Sequence, residues 1–251
     1  MQINLLHGFT QTSTSWAKPI AALQEQLPSA MFWAPDMPGH GRGTALPLAL
    51  PDGATALAEA STPGVWVGYS MGGRYLVHIA VQHPEVVLGL ILVSTTAGLD
   101  LASEREERQA ADNALADSIE QEGVPAFLDR WISLPMFSNL EPTADDLAAR
   151  QLNSSVGLAE SLRQAGTGRQ EPLWEQLQEL RVPTLIVTGE HDAKFTALGE
   201  RLADTIPGST HEVIADAGHA VHLEQPERFS RITSHWLREQ FKISASDDQP
   251  S

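Results

Sequence analysis

The sequence has no cysteine, little positive charge and no long apolar run. Without cysteine, disulfides, thiolate metal sites and cysteine nucleophiles are excluded, and we predict a reducing, cytoplasmic location. No apolar run approaches the ~20 residues that are needed to span a bilayer. The first residues, MQINLLHGF, have neither the basic region nor the long apolar stretch of a signal peptide. We therefore expect no membrane partner.

Positive charge is scarce: Lys and Arg together number 16 against 32 Asp and Glu, which gives a formal net charge of −16. Such a surface repels phosphate backbones and anionic lipid, so we expect no nucleic-acid partner. The basic residues are three lysines and thirteen arginines. The planar guanidinium of arginine matches carboxylates. Two interpretations stay open here: a coding bias towards arginine, or arginines that hold an anionic ligand.

Apolar residues make up 42% of the 251 residues, which is enough for one large folded domain and excludes disorder on composition. Short apolar runs typical of buried strands alternate with helical patterns, so the sequence predicts an α/β fold with a mostly parallel sheet flanked by helices. The predicted strands are Ile3–Leu6, Met31–Ala34, Val65–Val67, Leu88–Val93, Thr184–Thr188 and His211–Ile214. The predicted helices are Ser15–Gln26, Met71–His83, Ala197–Ile206 and Pro226–Phe241.

One segment, 100–180, contains no strand-like run and is helical throughout. Its predicted helices begin after Ser103 and continue around Val124–Trp131, Thr143–Gln151, Val156–Gln164 and Leu173–Leu180. A helical insertion between two strands of one sheet indicates a cap over an active site. We therefore divide the chain into a core of 1–99 and 181–243, a cap of 100–180, and a polar tail, 244–251, that we expect to be disordered.

The strongest local motif is Gly68-Tyr69-Ser70-Met71-Gly72, which follows the apolar run VWV and precedes a predicted helix. G-x-S-x-G between a strand and a helix is typical of a nucleophile elbow. Small residues are needed two positions either side of the serine, because a Cβ there collides with the neighbouring strand or helix. The helix N-terminus beyond the serine favours developing negative charge. The motif predicts Ser70 as the reactive hydroxyl.

An elbow serine needs a base, and His219 is the preferred candidate because it lies in a loop just past the last apolar strand. His222 is the competing candidate. We expect His78 and His83 to serve packing or the surface, and His7 to set loop geometry.

The acid of the site is expected on the loop after Thr184–Thr188, where Asp192 fits best and Glu190 is the alternative. The order Ser70, Asp192, His219 is that of α/β-hydrolases and differs from the chymotrypsin and subtilisin orders. Asp192 would orient His219, which would exchange a proton with Ser70. The oxyanion hole is expected from the backbone N–H groups of Phe9 and Met71.

Five segments make the chain resemble an α/β-hydrolase across nearly its whole length: LLHGFT, PDMPGHG (Pro35–Gly41), VGYSMGG, TGEHDAKF (Thr188–Phe195) and AGHAVHLEQP (Ala217–Pro226). More narrowly, the chain is similar to the SHCHC synthases of menaquinone biosynthesis (MenH). This match rests on Arg74 four residues after the serine, Asp129-Arg130-Trp131 leading into Leu134–Phe137, GTGRQEPLW (Gly166–Trp174), and Asp192-Ala193-Lys194-Phe195.

The resemblance implies a lyase that eliminates pyruvate from 2-succinyl-5-enolpyruvyl-6-hydroxy-3-cyclohexene-1-carboxylate, a small anionic substrate, with no cofactor and no metal. It implies that Ser70 acts as a base after deprotonation by His219. It also assigns substrate contacts to Tyr69, Arg74, Arg108, Trp131 and Arg150. For Arg105, Arg108 and Arg150 the alternative is an exposed helix with nearby acids, and for Trp131 it is packing of the cap.

The sequence departs from the family pattern at two places. It starts directly at the strand leading to HGF, so we expect the first two antiparallel strands of the hydrolase sheet to be absent; the alternative is a start site that was assigned late. The residues after HGF are Thr10-Gln11-Thr12, where the family often has a glycine.

Other functions compatible with the same scaffold are a carboxylesterase or carbon–carbon bond hydrolase, a cofactor-free haloperoxidase-like enzyme, and a non-catalytic binding protein. The arginine set favours the lyase, and the intact Ser-Asp-His order disfavours the binding protein. A monomer or small homo-oligomer is expected.

Overall fold

The computed structural model describes residues 1–41 and 48–243. Its central element is a parallel sheet with the strand order β2-β1-β3-β4-β5-β6. The strands are β1 (Gln2–Leu6), β2 (Met31–Trp33), β3 (Gly64–Tyr69), β4 (Val87–Val93), β5 (Thr184–Gly189) and β6 (Thr210–Ile214). All six predicted strands are confirmed. The predicted disordered tail, 244–251, lies outside the described residues.

Both faces of the sheet are covered by helices, which explains why its inner strands are apolar without alternation. On one face pack α1 (Ala17–Gln26), α9 (Val221–Glu224) and α10 (Pro226–Phe241), and on the other α2 (Leu50–Ala60), α3 (Met71–Gln82) and α8 (Ala193–Thr205). Every residue of β3 and β5 is buried.

Helix α2 is absent from the sequence predictions above, because Pro51 and Gly53 stand where turn residues are expected. In the structure Pro51 lies in the first turn, where its missing N–H costs no helical hydrogen bond. A Cβ on Gly53 would lie 2.5 Å from the Tyr75 ring. The glycine therefore allows close packing of α2 on α3.

The segment between β4 and β5, which lies wholly within the described residues, contains helices joined by loops and no strand, as predicted. It contains α4 (Ala102–Ile132), α5 (Ala144–Arg150), α6 (Ser155–Ala165) and α7 (Trp174–Leu177). Helix α4 is interrupted at Gly123, which has a φ of 80° and stands two residues before Pro125. It therefore consists of two helical stretches. These helices have a core of their own, built around Ile119, Phe127 and Leu158. Among the helices of 1–41 and 48–243, none has the length and apolarity needed to cross a membrane.

The carboxyl ends of the parallel strands meet at one edge of the sheet. In register, Leu6 of β1 lies beside Gly68 of β3, and Tyr69 lies beside Val93 of β4. The residues that follow these strands therefore converge at this edge, beneath the helical segment, which is where ligands bind in open α/β sheets.

Candidate active site

Ser70 follows β3 in a strained turn, with φ 51° and ψ −109°. Its backbone is held by Ser70 N–H donating to Val93 O (2.9 Å) and by the Thr95 hydroxyl donating to Ser70 O (2.8 Å). A Cβ on Gly68 would lie 2.7 Å from Gly72 O, and a Cβ on Gly72 would lie 2.2 Å from Leu6 O. Both distances are too short for a side chain. The predicted need for small residues on either side of the serine is thus confirmed.

A chain of hydrogen bonds connects three side chains that are far apart in sequence. His219 Nε2 lies 3.2 Å from Ser70 Oγ, and His219 Nδ1 lies 2.6 Å from Asp192 Oδ2. With the proton on Nδ1 donated to the carboxylate, Nε2 is free to accept the serine proton. His219 is 1% exposed. The arrangement is able to activate the Ser70 hydroxyl for base or nucleophilic chemistry.

Asp192 is held by a second interaction, because its Oδ1 accepts from Phe195 N–H (3.3 Å) at the start of α8. One carboxylate therefore caps the helix and also orients the histidine. The alternative acid, Glu190, is exposed and accepts from Asp216 N–H (3.1 Å). Of the two candidates, Asp192 is the one that meets His219.

The loop carrying His219 is fixed by Glu224, which the sequence reasoning did not identify. Its carboxylate accepts from the N–H groups of both Gly218 and Ala220, the two neighbours of His219. The ring of Phe195 packs against His219 with centroids 4.4 Å apart, and Phe137 lies on its edge at 6.0 Å. These aromatic rings shield the imidazole from water.

The other histidines do not contact Ser70. His222 is fully buried between Trp16 and Tyr69, with both centroid distances 4.4 Å, and neither ring nitrogen has a hydrogen-bond partner among the described residues. Burial holds its pKa well below the usual range. It is a packing residue.

His7 has the predicted structural role: its Nε2 accepts from Met37 N–H (3.0 Å) and its Nδ1 donates to Gly8 O (2.9 Å). His78 is buried in α3 and His83 Nε2 lies 2.9 Å from Thr55 Oγ1, so these two serve packing and surface contacts as expected.

Acidification from pH 6.5 to 5 is expected to destabilise the fold through buried neutral histidines. Burial lowers the pKa of His7 to about 4; burial and the neighbouring His7 lower that of His40 to about 3, while Pro38 O and Asp36 act in the opposite direction. In the unfolded chain these imidazoles take up protons near pH 6.5. Between about pH 6.5 and 4, unfolding is therefore accompanied by proton uptake. As the pH falls through this range, the free energy of unfolding decreases by up to about 1.4 kcal/mol per pH unit for each histidine.

Urea unfolding of the wild type and His40→Gln at pH 6.5 and 5 measures this contribution. We expect the variant to lose about 1.5 kcal/mol less than the wild type over this range, because one of the proton-binding groups is removed. Equal losses in the two proteins would contradict a buried neutral His40.

A cavity of about 590 Å³ opens above Ser70 and His219, between the sheet edge and the helical segment. Most of the predicted site residues line it: Phe9, Tyr69, Met71, Arg74, Arg108 and Trp131. The aromatic wall is continuous, because Trp131 stacks on Phe127 (5.6 Å) and contacts Phe9 edge-on (5.3 Å). Trp131 thus contributes to packing within the helical segment and also lines the cavity.

Two guanidinium groups reach this cavity from different elements. Arg74 of α3 is 7% exposed, and its Nη1 donates to Ala165 O (2.7 Å) at the end of α6. Arg108 of α4 donates from Nε to Asp112 Oδ1 (2.8 Å). Burial and the nearby Arg108 lower the pKa of Arg74 to about 10, so it stays protonated at neutral pH. Lys194, which is exposed, adds a third cation to the lining.

Arg150, the third cation predicted to contact the substrate, is not among the residues lining this cavity. Its Nε donates to Asp146 Oδ2 (2.8 Å) and its Nη1 donates to Thr10 Oγ1 (2.8 Å). The side chain is buried behind the turn that follows β1. The structure therefore brings Arg74 and Arg108 together at the cavity and gives Arg150 different partners.

The lining residues that sequence reasoning missed include Asp112, Thr95 and Lys194. Asp112 stands four residues after Arg108 on a helix, a spacing that predicts a side-chain pair. Lys194 lies within the motif that carries Asp192. For Thr95 the sequence offers no signal, because its role depends on the end of β4 lying beside the serine turn.

The alpha/beta hydrolase family matches residues 5–232 of the chain. A protein of Bacillus subtilis (strain 168), provisionally named 2-succinyl-6-hydroxy-2,4-cyclohexadiene-1-carboxylate synthase, is 38% identical over 92% of this chain and 88% of its own length. The synthase of that name from Serratia proteamaculans (strain 568) is 32% identical over 92% of this chain and 91% of its own.

Among solved structures, MenH from S. aureus superposes with a TM-score of 0.87 at 28% identity. The match covers 96% of this chain and 94% of that one.

Proposed function

Because the chain belongs to the alpha/beta hydrolase family, we propose that it uses this fold as a lyase, eliminating pyruvate from 2-succinyl-5-enolpyruvyl-6-hydroxy-3-cyclohexene-1-carboxylate. The observation that carries the proposal is the convergence of Arg74, Arg108 and Lys194 on the cavity that contains Ser70. Asp112 is the one acidic side chain among the described lining residues. The cavity therefore favours a substrate with more than one carboxylate over a neutral ester.

Arg74 is suited to bind a substrate carboxylate. Its guanidinium donates to a carbonyl rather than to a carboxylate, and burial next to Arg108 disfavours its charged form. A substrate carboxylate between the two groups would relieve their repulsion, and a buried charge-assisted bond is stronger than its exposed equivalent. Arg108 shares its charge with Asp112 and completes the anion site.

The reaction requires a base, and Ser70 with His219 supplies one. His219 Nε2 takes the Ser70 proton, and the Ser70 oxygen then takes the ring proton at C2, which the adjacent succinyl ketone acidifies. Negative charge develops on the ketone oxygen, where the N–H groups of Phe9 and Met71 would stabilise it. Asp192 stabilises the imidazolium that forms.

Elimination then moves the ring double bonds. The C2 electron pair forms the C2–C3 double bond, the C3–C4 pair shifts to C4–C5, and the C5–O bond breaks. The leaving enolate of pyruvate takes the proton held by His219, which restores the neutral imidazole. No acyl-enzyme forms. Tyr69 packs against His219 at 5.3 Å and Trp131 closes the cavity wall, so both would orient the ring of the substrate.

Supplying the purified protein with this substrate and following pyruvate tests the proposal. We expect one pyruvate per substrate consumed, and no pyruvate from the matching enolpyruvyl cyclohexene that lacks the succinyl ketone. Simple p-nitrophenyl esters are run beside them. Fast ester hydrolysis without pyruvate release would contradict the lyase and favour a carboxylesterase.

A further inference from the structure

The turn after β1 contains a residue in an unfavourable conformation. Thr10 has φ 67°, in the left-handed region that β-branched residues rarely occupy. The turn is closed by Gln11 N–H donating to Gly8 O (3.2 Å), and Thr10 is its third residue. A positive φ at this position is the requirement of a type II turn, which favours glycine or asparagine. Something outside the turn must therefore hold Thr10.

Two buried side chains from the cap supply that support. Asn153 Nδ2 donates to Thr10 O (2.8 Å), and Arg150 Nη1 donates to Thr10 Oγ1 (2.8 Å). Asn153 is 5% exposed and Arg150 is 3% exposed. The carbonyl oxygen and the hydroxyl oxygen of Thr10 are thus each held by a hydrogen bond from the cap.

The supporting residues are themselves fixed. Asn153 Nδ2 also donates to Arg150 O (2.8 Å), and Asn153 Oδ1 accepts from Gly41 N–H (2.7 Å). Asp146 holds the Nε of Arg150. Asn153 therefore links the cap to two loops of the core, the turn after β1 and the loop after β2.

The turn held in this way carries Phe9, whose N–H is the proposed oxyanion donor. Its first residue is anchored as well, because Gly8 N–H donates to Gln11 Oε1 (3.0 Å) and a Cβ on Gly8 would lie 2.5 Å from the Tyr69 ring. With Gly8 and Thr10 both fixed, the direction of the Phe9 N–H is fixed too.

We propose that Asn153 and Arg150 are positioning residues that hold Thr10 in its left-handed conformation and thereby aim the Phe9 N–H at the substrate. This inference rests on the proposed function, in which that N–H stabilises the enolate oxygen. It gives Arg150 a role through Thr10 in place of the direct substrate contact implied by the resemblance. The cap then supports the chemistry as well as enclosing the substrate.

The experiment compares Asn153→Ala with the double variant Asn153→Ala/Thr10→Gly. Asn153→Ala is expected to lower kcat of pyruvate release on the order of 10- to 100-fold while KM changes less than about threefold, because a misplaced donor affects mainly the transition state. Adding Thr10→Gly should restore most of kcat, since glycine takes a positive φ without support.

The matched control is Ser154→Ala. Ser154 is the neighbour of Asn153 and accepts from Gly157 N–H (3.0 Å) as the cap of α6, without contacting Thr10. It is expected to lower the melting temperature and leave kcat unchanged.

A second readout is independent of substrate: the rate at which a fluorophosphonate labels Ser70, which also depends on the oxyanion donors. Asn153→Ala should slow this labelling, and Thr10→Gly should restore it.

An unchanged kcat in folded Asn153→Ala, or a failure of Thr10→Gly to restore it, would overturn the positioning role. A wild-type Ser70 that fluorophosphonate does not label would overturn the oxyanion premise. If the wild type releases no pyruvate but the labelling rates follow the expected pattern, the proposed function fails and the positioning role stands. If the wild type releases pyruvate and Asn153→Ala changes neither kcat nor the labelling rate, only the positioning role fails.

Discussion

Ser70→Ala is expected to lower kcat for pyruvate release about 10³-fold or more, with little change in substrate affinity. The reason is that the variant has no oxygen within reach of His219 Nε2, so the base that takes the C2 proton is lost. The alanine side chain is smaller than serine, and the strained backbone at this position is held by Val93 and Thr95 regardless of the side chain. Initial rates, a substrate dissociation constant and circular dichroism together measure the effect.

The control for this substitution is Ser118→Ala on α4, whose hydroxyl accepts from Arg130 and donates to Leu115 O, and which is not itself among the cavity-lining residues. It should match the wild type in kcat. Intact mass spectrometry during turnover separates the two chemistries open to Ser70: a base leaves the enzyme mass unchanged, and a nucleophile adds an acyl group. A Ser70→Ala variant that still releases pyruvate at near wild-type rate would exclude Ser70 as the base.

Arg74→Ala is expected to raise KM for the anionic substrate about 10²-fold, because truncating one partner of a buried charge pair costs about 3 kcal/mol. For Arg74→Lys we expect a smaller rise in KM, because the charge is kept. Arg74→Ala also leaves Ala165 O without its donor, which is expected to cost about 1–3 kcal/mol of stability. Arg74→Lys keeps the charge and loses the planar fork, so it separates recognition from folding. Steady-state kinetics and urea unfolding measure the two effects.

The matched control is Arg105→Ala. Arg105 is a cap arginine that donates to the carbonyls of Leu99 and Asp100, yet it is not among the cavity-lining residues. Its loss should affect stability and leave KM unchanged. Any neutral ester that the protein turns over gives a further comparison. If the Arg74 variants lose kcat/KM equally on the anionic and the neutral substrate, Arg74 has a structural role only.

The sheet and the serine turn are predictable from sequence because their physical causes are local. A strand buried on both faces is a short apolar run bounded by turn residues, as in Val65–Val67. The serine turn demands small residues within two positions, and Gly68 and Gly72 are visible in the sequence itself. Asp192 and His219 could be predicted because each follows a strand, and parallel strands end at the same edge.

The contacts that hold the site in shape depend on residues far apart in the chain. Asn153 meets Thr10 across 143 residues, and Gly168 N–H meets Asp112 across 56 (3.4 Å). No periodicity or motif links such pairs, because they are set by how the cap docks on the core. The substrate contact of Arg150 is likewise an implication of the family resemblance, whereas its hydrogen bond to Thr10 becomes visible only in the structure.

The cap leaves the sheet after β4 and returns at β5, and these two strands are neighbours, with Leu90 opposite Thr184. The two ends of the insertion therefore lie side by side. Replacing it with another insertion would leave the strand order of the sheet unchanged. Substrate preference is free to diversify there while the serine, histidine and aspartate stay in place. The exchange has one compatibility condition, since a new cap must bring its own support for position 10 or be paired with a glycine there.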